Sequence, residues 1–123
     1  MQRGDFVECV HDVHAVAVRG GELIASAGDP SLLTSLRSAA KPVQALPLAR
    51  AYPDLGDEEL AIAAASHYGT PRHIDAVRKL LAATGGGEEE LDCGQQPGRP
   101  QEPIYDNCSG KHAGMLAVCR ANG

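Results

Sequence analysis

Ser38-Ala39-Ala40-Lys41 sets a hydroxyl and an amine three residues apart. On a helix those two positions share a face. Serine is a poor nucleophile until a base takes its proton, and lysine is such a base only when neutral. Desolvation or a nearby positive charge favours the neutral amine. Ala39 and Ala40 keep the turn small and apolar, and Arg37 supplies a neighbouring cation. Backbone N–H groups at a helix start also suit a developing oxyanion. One reading makes Ser38 the attacking group and Lys41 its base, with Arg37 binding a substrate carboxylate or raising the local positive potential. An N-capping serine followed by an exposed lysine has the same spacing.

A second polar concentration is Asp106-Asn107-Cys108-Ser109-Gly110-Lys111-His112. Cys108 and Lys111 are again three apart, and a thiolate with an imidazole can hold a metal. Plain helix capping by Asn107 or Ser109, with Gly110 allowing close approach, also explains the run. Ser66-His67 follows an apolar stretch, where the pair lines a pocket or simply turns the chain. His11 and His14 fall on opposite faces of a strand, which argues against a shared metal.

These residues need elements to carry them. Strands are predicted over residues 6–10, 14–18 and 23–27, with a turn at Arg19-Gly20-Gly21-Glu22, giving an antiparallel meander at a sheet edge. A helix is predicted over residues 38–46, ended by Pro47. A second starts after Gly56 with acidic residues in its first turn, where they suit the helix dipole. It is apolar nearly all round through Ala65 and should be buried. Thr70-Pro71 opens a third helix with Ile74, Val77, Leu80 and Leu81 on one side and an Asp75–Lys79 pair on the other. Gly85-Gly86-Gly87 ends it. Residues 95–103 read as a loop, and a last helix starts near Ser109 with Met115, Leu116 and Cys119. Strands come first and helices after.

The chain has 123 residues, enough for one domain with one core. Hydrophobic residues make up 43% but aromatics only 3%, so the core must be built from Ala, Leu, Val and Ile. The net charge is −5 with both signs spread along the chain, and no basic stripe for nucleic acid appears. No apolar run is long enough to span a membrane, and the N-terminus lacks the apolar region of a secretion signal. A soluble, cytoplasmic protein is expected. Cys9, Cys93, Cys108 and Cys119 form no CxxC pair, and without a secretory segment they are expected as free thiols or metal ligands. The chain stops at Arg120-Ala121-Asn122-Gly123, where a helix would be capped, and a truncated sequence is expected.

Several of these segments together resemble the N-terminal portion of the asparaginase II family, the serine–lysine class of L-asparaginases. The resemblance runs through Arg3-Gly4-Asp5-Phe6-Val7-Glu8, Gly28-Asp29-Pro30, Arg37-Ser38-Ala39-Ala40-Lys41-Pro42 and Ala65-Ser66-His67. Above all it rests on Asn107-Cys108-Ser109-Gly110-Lys111-His112-Ala113-Gly114-Met115-Leu116. It implies an α+β fold, an antiparallel sheet flanked by helices like that of serine β-lactamases and glutaminases, incomplete in this chain. It implies hydrolysis of L-asparagine to aspartate and ammonia through a serine acyl-enzyme. By position, Ser38 is then the nucleophile, Lys41 its base and Ser66 a second catalytic serine that relays protons. Arg37 and His67 are then substrate-binding residues. In zinc-containing members, residues at the positions of Cys108 and Lys111 are ligands.

The family's chains are longer, and a further zinc-ligating cysteine and a second catalytic lysine are expected beyond Gly123. Residues 1–123 are therefore read as a partial single domain, inactive in isolation, and the full-length protein as a homodimer. After Cys93-Gly94 the chain has Gln95-Gln96-Pro97 where the family usually places a histidine, and the loop to Asn107 looks shortened. Two other functions remain open. The Ser-x-x-Lys spacing is shared by penicillin-binding and β-lactamase-like hydrolases, although Ser-Asp-Asn and Lys-Thr-Gly elements are absent here. A non-catalytic zinc- or partner-binding fragment is the other.

Overall fold

The computed structural model describes every residue except Met1, Gly4, Glu8 and Gln95. Parts of two segments read above, Arg3 to Glu8 and the loop 95–103, thus lie outside the described residues. The structure is α+β, as expected, and it divides into two compact units, Met1–Ser35 and Leu36–Gly123. No helix among the described residues is long and apolar enough to cross a membrane.

The first unit holds two antiparallel pairs. Strands β1 (Gln2–Arg3) and β2 (Phe6–Val7) pair with each other, and β3 (Ala15–Arg19) pairs with β4 (Glu22–Ala27). Gly20 and Gly21, with φ of +59° and +86°, form the tight turn between β3 and β4. Both central residues of such a turn need positive φ, which glycine adopts without steric cost. The expected three-stranded meander does not form: Phe6 pairs with Arg3 rather than with the following strand. Local closure over a short turn is reached before a distant pairing is needed. A shift of register between Ala17 and Val18 leaves Ile24 without a direct partner.

The second unit is helical and carries the chemistry. A 3₁₀ turn (Arg37–Ala40) runs into α1 (Lys41–Gln44) and then α2 (Leu46–Ala51). Pro47 does not stop the chain there; it occupies the second position of α2, where its missing N–H is not needed. Helices α3 (Asp57–Ala63), α4 (Pro71–Ala83) and α5 (Ser109–Asn122) follow. Only Ile62 and Ala63 of α3 are buried, so it is less enclosed than its composition suggests. Helix α4 starts at Thr70 as predicted, and the Thr70 N–H donates to His73 Nδ1 at 3.3 Å. Lys79 does not pair with Asp75; it reaches across to Glu58 of α3 at 3.2 Å.

The core is aliphatic, as the composition requires. Ile74, Val77, Leu80 and Leu81 of α4 pack with Leu48 of α2, Ile62 of α3 and Ala113 and Ala117 of α5. Two glycines set how closely α5 approaches. A Cβ on Gly110 would collide with the Ile62 carbonyl, and one on Gly114 would lie 3.1 Å from Leu48 Cδ2. This close approach brings the start of α5 against the chain that leaves α3, where the predicted site residues gather.

Candidate active site

Lys41 is buried, with 3% of its surface exposed, although it opens a short helix near the surface. Its Nζ donates to the Ala65 carbonyl at 2.9 Å, the Ser66 hydroxyl at 2.7 Å and Cys108 Sγ at 3.3 Å. An ammonium has three N–H groups, and here all three are used. A neutral amine fits the same cage: it keeps two donors and accepts the Ser66 O–H through its lone pair.

Ser38 lies in the 3₁₀ turn before Lys41 and is exposed. Among the described residues none is hydrogen-bonded to its hydroxyl. Ser38, Lys41, Cys108 and Lys111 nevertheless line one cleft of about 300 Å³ with Arg37 and Gln44. Arg37 has a φ of +46°, alone among the described non-glycine residues in having a positive φ. That conformation costs a side-chain-bearing residue roughly 1–2 kcal/mol, and it sits immediately before the candidate nucleophile.

His67 is buried with both ring nitrogens engaged. Gly69 N–H donates to Nδ1 at 3.2 Å, so the neutral ring carries its proton on Nε2. Nε2 lies 3.0 Å from the Ser109 hydroxyl, which donates to the Ile104 carbonyl at 2.7 Å. Burial first, then the positive charges of His73 and Arg99, lower the His67 pKa from 6.5 to about 4. The His67 backbone N–H donates to Asn107 O at 3.1 Å, and Asp106 Oδ1 accepts the Cys108 N–H at 2.8 Å. These bonds hold the loop after α3 to the start of α5, and with it Ser66 and Cys108 on either side of Lys41.

The seven residues singled out in the sequence do not form one contact network. Lys41, Ser66 and Cys108 are in direct contact; Ser38, Arg37 and Lys111 join them across the cleft; His67 is turned into the protein. The sequence marks Ser109 only as a cap, and no motif marks Arg99. Only the partner across the fold reveals either.

A structural zinc takes four ligands, and a catalytic one three from the protein. Cys108 and Lys111 supply at most two. Among the described residues no group of three His, Cys, Asp or Glu side chains could hold a metal. The residues present do not by themselves fit zinc. Cys93, Cys108 and Cys119 carry free thiols.

Fold and cluster define an α+β chain in which a buried amine is hydrogen-bonded to an alcohol. Over residues 1–123 the chain matches the family model of L-asparaginase II, and it belongs to that family. The resemblance carried by residues 107–116 is thereby borne out. Membership implies an amidohydrolase with L-asparagine, a small-molecule amide, as substrate. No curated protein sequence matches the chain.

Proposed function

We propose that the chain carries the nucleophile side of a serine-type L-asparaginase. The observation that supports this best is the buried Lys41 amine, 2.7 Å from the Ser66 hydroxyl and in one cleft with Ser38. In this reading Ser38 Oγ attacks the side-chain amide carbon of asparagine. Its proton passes through the Ser66 hydroxyl to neutral Lys41. Backbone N–H groups of the turn at Ser38 hold the oxyanion. Lys41 returns the proton to the leaving nitrogen, the C–N bond breaks and ammonia departs. Water then hydrolyses the aspartyl ester on Ser38. Arg37 lines the substrate cleft, and His67 serves the substrate side by holding Ser66 and Tyr68 in place. Zinc enters no step.

A second reading has the same reaction with Ser66 as attacking group, because Lys41 bonds Ser66 and not Ser38. Quenching the full-length enzyme during turnover and mapping the aspartyl adduct by mass spectrometry separates the two. An adduct on the Ser38 peptide, and no ammonia release from Ser38→Ala, supports the first. An adduct on Ser66 replaces it with the second, and normal turnover by Ser38→Ala rejects the first outright.

The 123 residues alone are read as releasing no ammonia. Asparagine-dependent ammonia release by that purified chain overturns this part.

A further inference from the structure

The loop before α5 places an arginine beside Ser66. Arg99 is half-buried, and its Nη1 donates to the carbonyls of Tyr105 at 3.1 Å and His67 at 3.3 Å. Its Nε and Nη2 have no partner among the described residues. The contrast with the other arginines of the helical unit is informative. Arg72, Arg78 and Arg120 each reach a glutamate, Glu58, Glu88 and Glu90 respectively. Arg37 and Arg50 are exposed to solvent. Arg99 combines partial burial with no carboxylate partner among the described residues, which leaves its charge available to an anion.

Arg99 lines a cleft of about 250 Å³ with Ser66, His67, Tyr68, Gln96 and Asn107. Ser66 also touches Lys41, so this cleft adjoins the proton-transfer pair. A guanidinium is always charged, and its planar fork matches a carboxylate. Two carbonyls already fix its orientation, so less side-chain freedom is lost when an anion binds. We propose that Arg99 takes the α-carboxylate of the amide substrate, in a subsite next to Ser66. This rests on the amidohydrolase reading above and adds how the substrate is oriented.

The test compares L-asparagine with 3-aminopropanamide, which lacks the α-carboxylate, on the full-length enzyme. Arg99→Gln should lower kcat/KM for L-asparagine by about 10- to 100-fold, mainly through KM, as expected for lost charge-assisted hydrogen bonds. Turnover of 3-aminopropanamide should not change. Arg99→Lys should recover part of the loss, because charge remains but the fork does not. An equal loss on both substrates makes Arg99 a tether for the Tyr105 loop and overturns the proposal. So does a substrate-dependent loss in Arg37→Gln but not in Arg99→Gln.

Calorimetry of L-aspartate binding separates this proposal from the reading beneath it. If the wild type releases no ammonia yet binds L-aspartate, and Arg99→Gln abolishes that binding, the subsite stands while the reaction fails. The same result decides the matter if 3-aminopropanamide is not turned over. Absence of L-aspartate binding, or equal binding of inorganic phosphate, overturns the subsite.

Discussion

Lys41 Nζ lies 2.7 Å from the hydroxyl of Ser66, a residue 25 positions away in sequence, while the Ser38 hydroxyl three positions away accepts nothing from it. The reason is local. Ser38 sits in a 3₁₀ turn facing outward, whereas the lysine chain is drawn inward, where the end of α3 leaves the Ala65 carbonyl available. A carbonyl, a hydroxyl and a thiol then complete the set of acceptors around one amine.

Replacing this amine should separate activity from stability. Lys41 has no carboxylate partner among the described residues, so Lys41→Met strands no opposite charge. We expect ammonia release by the full-length enzyme to fall by about 10³-fold, the scale of a lost general base. The urea midpoint should be no lower than that of the wild type.

Gly110 and Gly114 should differ in tolerance. Alanine at Gly110 meets the Ile62 backbone carbonyl, which cannot step aside without moving α3. Alanine at Gly114 meets side-chain carbons, Leu48 Cδ2 at 3.1 Å and Ala63 Cβ at 3.2 Å, and the leucine can shift. We expect Gly110→Ala to cost about 2–3 kcal/mol and Gly114→Ala about 1 kcal/mol or less in chemical denaturation.

Ser109 is fully buried and receives the His67 Nε2–H while donating to Ile104 O. Ser109→Ala leaves both groups unpaired. A loss of about 1–3 kcal/mol is expected in thermal or urea unfolding. Ser109→Thr keeps the hydroxyl but adds a methyl group where no space is open, so it should restore only part of the loss.

The low pKa of His67 makes acid destabilising. In the unfolded chain the ring protonates below about pH 6.5; in the folded protein it stays neutral down to about 4. The unfolded state therefore binds more protons in that window, and stability falls as pH drops through it. The slope from this one group is at most about 1.4 kcal/mol per pH unit and levels off below its folded pKa. Burial shifts His112 in the same direction. Urea midpoints measured from neutral pH downward should decline, and His67→Gln, whose amide offers both a donor and an acceptor, should decline less steeply.

Arg37 holds a left-handed backbone conformation before Ser38. Arg37→Gly should leave stability unchanged or raise it slightly, because relief of strain offsets the extra freedom of the unfolded chain. Ammonia release should drop through loss of the cation beside Ser38. A marked fall in the urea midpoint would show that the side chain, and not the strained backbone, holds this turn.

Much of the helical unit was legible along the chain because its signals are local. Thr70-Pro71 starts α4, the 74/77/81 spacing marks its buried face, and the 107–116 run marks both the family and the start of α5. Local signals fall short where pairing or packing at a distance decides the outcome. The strand at Phe6 had two possible neighbours, and short-range closure with Arg3 won. Pro47 could end one helix or begin another, and packing of Leu48 against Gly114 accompanies the second choice. Lys79 had a local partner in Asp75 and found a better placed one in Glu58.

The sequence by itself determined which groups are available and which family they belong to: a serine and a lysine three apart, a second serine before a histidine, a cysteine and a lysine at a helix start. Types and spacings within one turn are properties of the chain alone. Tertiary structure decided which of them meet. The Lys41 cage spans 67 residues, from the lysine to Cys108. It exists because Gly110 lets α5 approach α3, and because His67 and Asp106 fasten the loops on either side. No spacing rule reaches that far. Arg99 is the extreme case, since its sequence context is an unremarkable loop and its one notable property, a half-buried charge with no carboxylate partner among the described residues, belongs to the folded protein only.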